Sequence, residues 1–254
     1  MNSSIENCAW PEPPDDPRLE AGEVHVRAAS LEISPETLEK FSVFLCASEK
    51  ERARRFKFDV LRNRFIAGRG LLRKMLGFYL NCEPAKLEFD YSAQGKPELS
   101  GEFSKSGFQF NLAHSENAAL FAITRAGEIG VDIERVRAIK NMDELVARFF
   151  CARENELFRK LSDEEKPAAF FNLWTRKEAI LKATGEGITR SLNLVEVSFL
   201  PGEPAQLIAV NGDSEKAKQW ILRDLAPAPG FAGALAIQAR EIQVRTFLCR
   251  NEFA

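Results

Sequence analysis

The sequence predicts an α+β protein, and three observations carry that prediction. A long amphipathic stretch lies between residues 34 and 80, alternating segments follow it, and then helical periodicity and alternation recur a second time before the C-terminus. The alternating segment Val24-His25-Val26-Arg27 reads as a half-buried strand, and Ser34-Pro35-Glu36 supplies an N-cap, an N1 proline and a first-turn acid. Helix is expected from there to about Leu80, because Leu61, Phe65, Leu71, Leu72, Met75, Leu76 and Tyr79 recur mostly at three- and four-residue intervals. Strands are expected at Lys86 to Tyr91, Phe108 to Leu112, Ala118 to Thr124 and Glu128 to Glu134. Helices return at Asp143 to Phe150, at Ala152 to Leu161 and from Ser162 or Pro167 to Ala183, the last closed by Gly185 and Gly187. Strands then fill Leu194 to Leu200, Ala205 to Val210, Gln219 to Leu225, Phe231 to Gln238 and Gln243 to Leu248. This order permits two α+β halves, 21–127 and 128–254. The proline-rich, acidic residues 1–20 are expected to form a flexible, poorly packed arm.

Composition narrows the functional classes. A formal charge of −2 over 254 residues excludes a globally basic nucleic-acid binder. Five scattered cysteines without a CxxC pair suggest neither a disulfide framework nor a thiolate zinc site, and no apolar run is long enough to span a bilayer. Together with the absence of a signal-like N-terminus, these features read as cytoplasmic. Charge is concentrated between Glu49 and Lys74, where ten Lys or Arg residues face three acids.

Three segments could carry chemistry. In Glu128-Ile129-Gly130-Val131-Asp132-Ile133-Glu134, alternation puts Asp132 and Glu134 on one strand face with Gly130, and the glycine would let a ligand approach the backbone. On spacing alone, such a pair is an ordinary solvated strand face. In the helix, Trp174, Glu178 and Lys182 stack four apart, which by itself describes an i, i+4 ion pair beside a core aromatic. The upstream Phe170, Phe171 and Leu173 could desolvate that pair and shift its proton affinities. Asn111-x-x-His114-Ser115 at a strand end is rich in donors suited to phosphate, and Gly95-Lys96-Pro97 adds a cation on a turn.

Read together, Gly95-Lys96-Pro97, Phe110-Asn111-Leu112-Ala113-His114-Ser115, Gly130-Val131-Asp132-Ile133-Glu134 and Trp174-x-x-Lys177-Glu178-Ala179-x-x-Lys182-Ala183-x-Gly185-x-Gly187 resemble the surfactin-type (Sfp-type) 4′-phosphopantetheinyl transferases. The resemblance covers about residues 50 to 190. It implies a monomer of two similar halves related by a pseudo-twofold. It also implies transfer of the phosphopantetheine arm of coenzyme A to a serine of an apo acyl or peptidyl carrier protein, leaving adenosine 3′,5′-bisphosphate. By resemblance, Asp132, Glu134 and Glu178 hold Mg²⁺, with Mn²⁺ as a substitute, and Glu178 deprotonates the serine directly or through a metal-bound water. Lys182 faces the phosphates, and Lys96, Asn111, His114, Arg64, Arg69 and Arg52 bind the coenzyme. Ala113 stands where many members have Ser, so a hydroxyl contact to phosphate is expected to be lost. Two other classes use the same features: a metal-dependent nucleic-acid enzyme, against which near-neutral charge counts, and a noncatalytic coenzyme A or carrier-binding module, against which the complete carboxylate set counts.

Overall fold

The computed structural model describes residues 5–14, 18–185 and 192–249. Each half builds the same topology. The first half runs β1 (Glu23–Ser30), helices α1 (Pro35–Phe44), α2 (Ala47–Arg54) and α3 (Asp59–Leu80), hairpin β2 (Phe89–Tyr91) and β3 (Pro97–Leu99), then β4 (Gln109–Ser115) and β5 (Ala118–Thr124). The second repeats it with β6 (Ile129–Arg135), helices α4 (Met142–Phe149), α5 (Ala152–Phe158) and α6 (Lys166–Thr184), hairpin β7 (Val195–Val197) and β8 (Leu207–Val210), then β9 (Trp220–Leu225) and β10 (Phe231–Gln238). The sheets have matching antiparallel orders, β1-β5-β4 and β6-β10-β9. The last strand, β11 (Gln243–Cys249), leaves the second half and pairs parallel with β1, so the C-terminal segment completes the first sheet.

Alternation along the strands makes four layers. On β5, Ala118, Leu120 and Ala122 face the second sheet, whereas Ala119, Phe121 and Ile123 pack with Leu71, Leu72, Met75 and Leu76 of α3. On β10, Leu235 and Ile237 face the first sheet, and Ala232, Ala234 and Ala236 share a core with Phe170, Phe171, Ala179, Ile180 and Ala183 of α6. A helical layer therefore flanks each of two stacked sheets.

Several expectations are corrected here. The helical stretch expected up to Leu80 is divided into three helices. Cys46 is extended and its N–H donates to Glu49 Oε2 at 3.1 Å, starting α2, while Phe58 is extended and starts α3. The basic face is partly folded inward, since Arg73 is fully buried and donates to Glu49 Oε2 at 2.8 Å and to the carbonyls of Pro84 and Leu87. Residues 5–14 of the N-terminal arm lie on the body: Ile5 is buried between the sheets, Trp10 packs on the same cluster, and Pro11 O accepts from Leu248 N at 2.8 Å. The prolines fix an extended path, and Ile5 anchors it. Strand β3 was not expected, and the strand expected at Phe108 to Leu112 runs on to Ser115, so His114 and Ser115 stand within it rather than beyond its end. Gly185 closes α6 in the left-handed region at φ 71°, while Gly187 lies outside the described residues.

Candidate active site

The site begins at a close approach. A Cβ on Gly130 would lie 2.0 Å from Ala179 O and 2.5 Å from Ala183 N, so the backbone of α6 fills the space that the sequence assigns to a ligand. With the β10 alanines, this small-residue face lets α6 lie directly on β6. Glu178 and Lys182, one turn apart, are thereby carried to Asp132. Lys182 Nζ donates to Asp132 Oδ1 at 2.6 Å. Asp132 and Glu178 are 5% and 3% exposed, and each leaves one buried oxygen, Asp132 Oδ2 and Glu178 Oε1, without a hydrogen-bond partner.

Such burial has an electrostatic cost. Desolvation pushes Asp132 up to about 6, against the pull of Lys182, with Glu134 adding repulsion. Desolvation, then repulsion from Asp132, pushes Glu178 up to about 7, with Lys182 opposing and Glu134 adding a smaller push. Glu134 points to the same side of β6, as alternation predicts, and its Oε2 accepts the Ser115 hydroxyl at 2.8 Å. Among the described residues no three His, Cys, Asp or Glu side chains form a ready metal cage. The positive charge on Asp132 is the Lys182 ammonium.

Beside the carboxylates opens a cleft of about 590 Å³, lined by Arg52, Arg64, Arg69, Lys96, Asn111, His114 and Lys182. All six residues assigned from sequence to coenzyme binding thus meet in one place, although they come from α2, α3, the β2–β3 turn and β4. Buried Arg64 Nε and Arg69 Nη1 have no acceptor, and Arg69 lies over the rings of Phe65 and Tyr91. His114 is held below its ordinary pKa by desolvation, then by Lys182 and Arg64. Other atoms of the lining have protein partners already: Arg64 Nη2 donates to Glu32 Oε1 at 3.4 Å, and Arg69 Nε lies 3.8 Å from Glu49 Oε1. Lys96 Nζ donates to the carbonyls of Ile129 and Ala183, and Asn111 Oδ1 accepts from Val131 N at 2.9 Å.

The similarities to known proteins decide the class. Residues 128–236 match the model of the 4′-phosphopantetheinyl transferase superfamily, and residues 32–125 match that of the 4′-phosphopantetheinyl transferase N-terminal region. The chain is 42% identical to the 4′-phosphopantetheinyl transferase HetI of Nostoc sp. over 228 residues, which cover 90% of this chain and 93% of that protein. The chain belongs to the 4′-phosphopantetheinyl transferase superfamily. More distant relatives include L-aminoadipate-semialdehyde dehydrogenase-phosphopantetheinyl transferase of Homo sapiens, 28% identical over 69% of this chain and 61% of that protein. The 4′-phosphopantetheinyl transferase Sfp of Bacillus subtilis is 28% identical over 65% of this chain and 71% of its own length. The protein is an enzyme that transfers phosphopantetheine from coenzyme A to carrier proteins.

Within this transferase, some motif residues do other work than their neighbours. Lys177, adjacent to Glu178, is fully buried and donates to Glu154 Oε2 and to Leu192 O. Glu154 also accepts from Cys151 N and Val197 N, so the pair ties α6 to α5 and β7. Arg176 is bidentate to Asp224, at 2.8 and 2.7 Å, and fixes α6 to β9. Trp174 stacks on Phe170 at 6.0 Å as a core aromatic. Ala113 borders the cleft, but its methyl belongs to the apolar cluster between the sheets. Ser115, read with the phosphate donors, gives its hydroxyl to Glu134 instead, and Phe65 was missed as a site residue. Phe65 signalled itself as part of the helical stripe, and no spacing distinguishes a cleft-lining aromatic from a core one.

Proposed function

We propose that this is a transferase of the Sfp type and that Asp132, Glu134 and Glu178 hold a Mg²⁺ ion, for which Mn²⁺ can substitute. The observation that carries the reading is the pair of buried, unpartnered oxygens, Asp132 Oδ2 and Glu178 Oε1, beside a cleft lined with cations. Hard carboxylate oxygens suit a hard divalent cation that keeps water and phosphate oxygens in its shell. When bound, such a cation neutralises the pyrophosphate and polarises the attacked phosphorus.

The residues of the chain then divide the work. Arg64 and Arg69 have unspent donors for the coenzyme A phosphates, and Arg52 adds charge at the same wall. Lowered proton affinity makes His114 a neutral N–H donor in the free enzyme. Lys96 and Asn111 hold the cleft walls through the backbone of β6 and add polar groups to its lining. Glu178, directly or through a water, takes the proton of the carrier serine as its Oγ bonds to phosphorus. The P–O bond to adenosine 3′,5′-bisphosphate breaks, and the leaving oxygen keeps the electron pair beside the Lys182 ammonium. In this reading the enzyme works as a cytoplasmic monomer whose halves, 21–127 and 128–254, place the coenzyme between them. Its acceptor is a fatty acid, polyketide or nonribosomal peptide carrier. Incubation with an apo carrier, coenzyme A and Mg²⁺, followed by weighing the carrier, tests this. Absence of a phosphopantetheine mass gain across several carriers refutes it, and so does normal turnover by Asp132→Asn.

A further inference from the structure

We propose that Ser115 is a positioning residue, through which the first half of the molecule orients the Glu134 carboxylate of the second. The inference rests on reading Glu134 as a metal ligand. Strands β4 and β6 belong to different sheets, yet two side-chain hydrogen bonds join them. Asn111 Oδ1 accepts from Val131 N at 2.9 Å, and Ser115 Oγ accepts from Arg135 N at 3.1 Å. Both partners advance by four residues, so β4 and β6 run side by side in the same direction. The side chains of Asn111 and Ser115, on one face of β4, stand where a backbone ladder would otherwise join the strands.

The middle rung is absent. Ala113 falls between Asn111 and Ser115 on the same strand face and has no side-chain acceptor to offer. The seam therefore closes at its two ends, and one end is the hydroxyl that touches Glu134. A serine has one donor and two acceptor sites. Here the donor goes to Glu134 Oε2 at 2.8 Å while the oxygen receives Arg135 N, so the hydroxyl direction is fixed by the backbone of the same strand that carries Glu134. Oε2 is drawn to Ser115, with Arg137 Nη1 3.9 Å away on the same oxygen, so Oε1 is the oxygen that would be offered to a metal. Because His114 is the neighbour of Ser115 on β4, the seam also holds the phosphate-facing wall and the carboxylates in one fixed relation. Partners of this kind around metal-binding carboxylates typically control metal affinity by about 10–100-fold.

The test is Mn²⁺ titration followed by electron paramagnetic resonance, with coenzyme A present, on wild type, Ser115→Ala, Ser115→Cys, Ser115→Thr and Asp132→Asn. Cys keeps the size but is a weak donor, and Thr keeps the hydroxyl. Expected are about 10-fold or greater weakening of Mn²⁺ binding in the Ala and Cys variants and near wild-type binding in Thr. In the Ala and Cys variants the Mg²⁺ concentration giving half-maximal turnover should rise in parallel, with kcat largely recovered at saturating Mg²⁺. Unchanged Mn²⁺ affinity in a folded Ala or Cys variant, with Asp132→Asn impaired, overturns the role of Ser115 alone. Unchanged affinity in Asp132→Asn overturns the metal site itself and the inference with it.

Discussion

Replacing Glu178 by Gln should abolish transfer and yet make the metal-free protein more stable at alkaline pH. Glu178 is held at about 7, against an ordinary 4.5, because burial and the Asp132 charge disfavour its ionised form. A carboxyl raised in this way adds stability that is fully present below about 4.5 and lost as the pH climbs through about 7. Ionising it in the folded state therefore costs about 3 kcal/mol. Gln has the same shape and no charge to ionise. The stability difference between Glu178→Gln and wild type should thus grow by about 3 kcal/mol between pH 4.5 and 8.5, equivalent to roughly 5–10 °C in Tm for a chain of this length. Thermal or urea unfolding in a chelator, repeated across that range, measures it. Saturating Mg²⁺ should raise the wild-type Tm at pH 8.5 far more than that of the variant, since the cation relieves the same repulsion. A stability difference that does not change with pH would refute both the burial of Glu178 and its crowding by Asp132.

Further outcomes follow from the same packing. Gly130→Ala must push α6 away from β6, because the new methyl would lie 2.0 Å from Ala179 O; about 1–3 kcal/mol of stability and at least about hundredfold in kcat/KM should be lost, read by unfolding and by carrier mass gain. Lys177→Met leaves Glu154 charged and buried, and should cost about 3–5 kcal/mol in urea unfolding, partly restored by adding Glu154→Gln. His114, held below its ordinary pKa in the free enzyme, should be raised by the coenzyme phosphate. Coenzyme A binding near pH 6 should therefore take up protons, visible by calorimetry in buffers of different ionisation enthalpy, and His114→Gln should lose that uptake.

Periodicity alone set out most elements, because strands and helices that bury one face advertise it at periods of two and about 3.6. The same alternation put Asp132 and Glu134 on one face, and helical spacing put Glu178 and Lys182 one turn apart. Local pattern could not show what packs across an interface. Gly130 read as room for a ligand and is the seat of a helix, because a missing side chain attracts a backbone as readily as a substrate. Lys177 and Lys182 stand on the same helix in the same motif. One is buried on Glu154 and the other reaches the cleft, a separation set by which residues of α5, β6 and β7 meet each side of α6. Arg73 stands in the same basic run as Arg64, yet α2 brings Glu49 against it and takes it from the surface. The sequence by itself determined the kinds of groups available, their order and their local faces. Tertiary structure decided which of them were spent on one another and which were left with an unpartnered atom, because burial and partner choice belong to pairs of elements far apart in the chain.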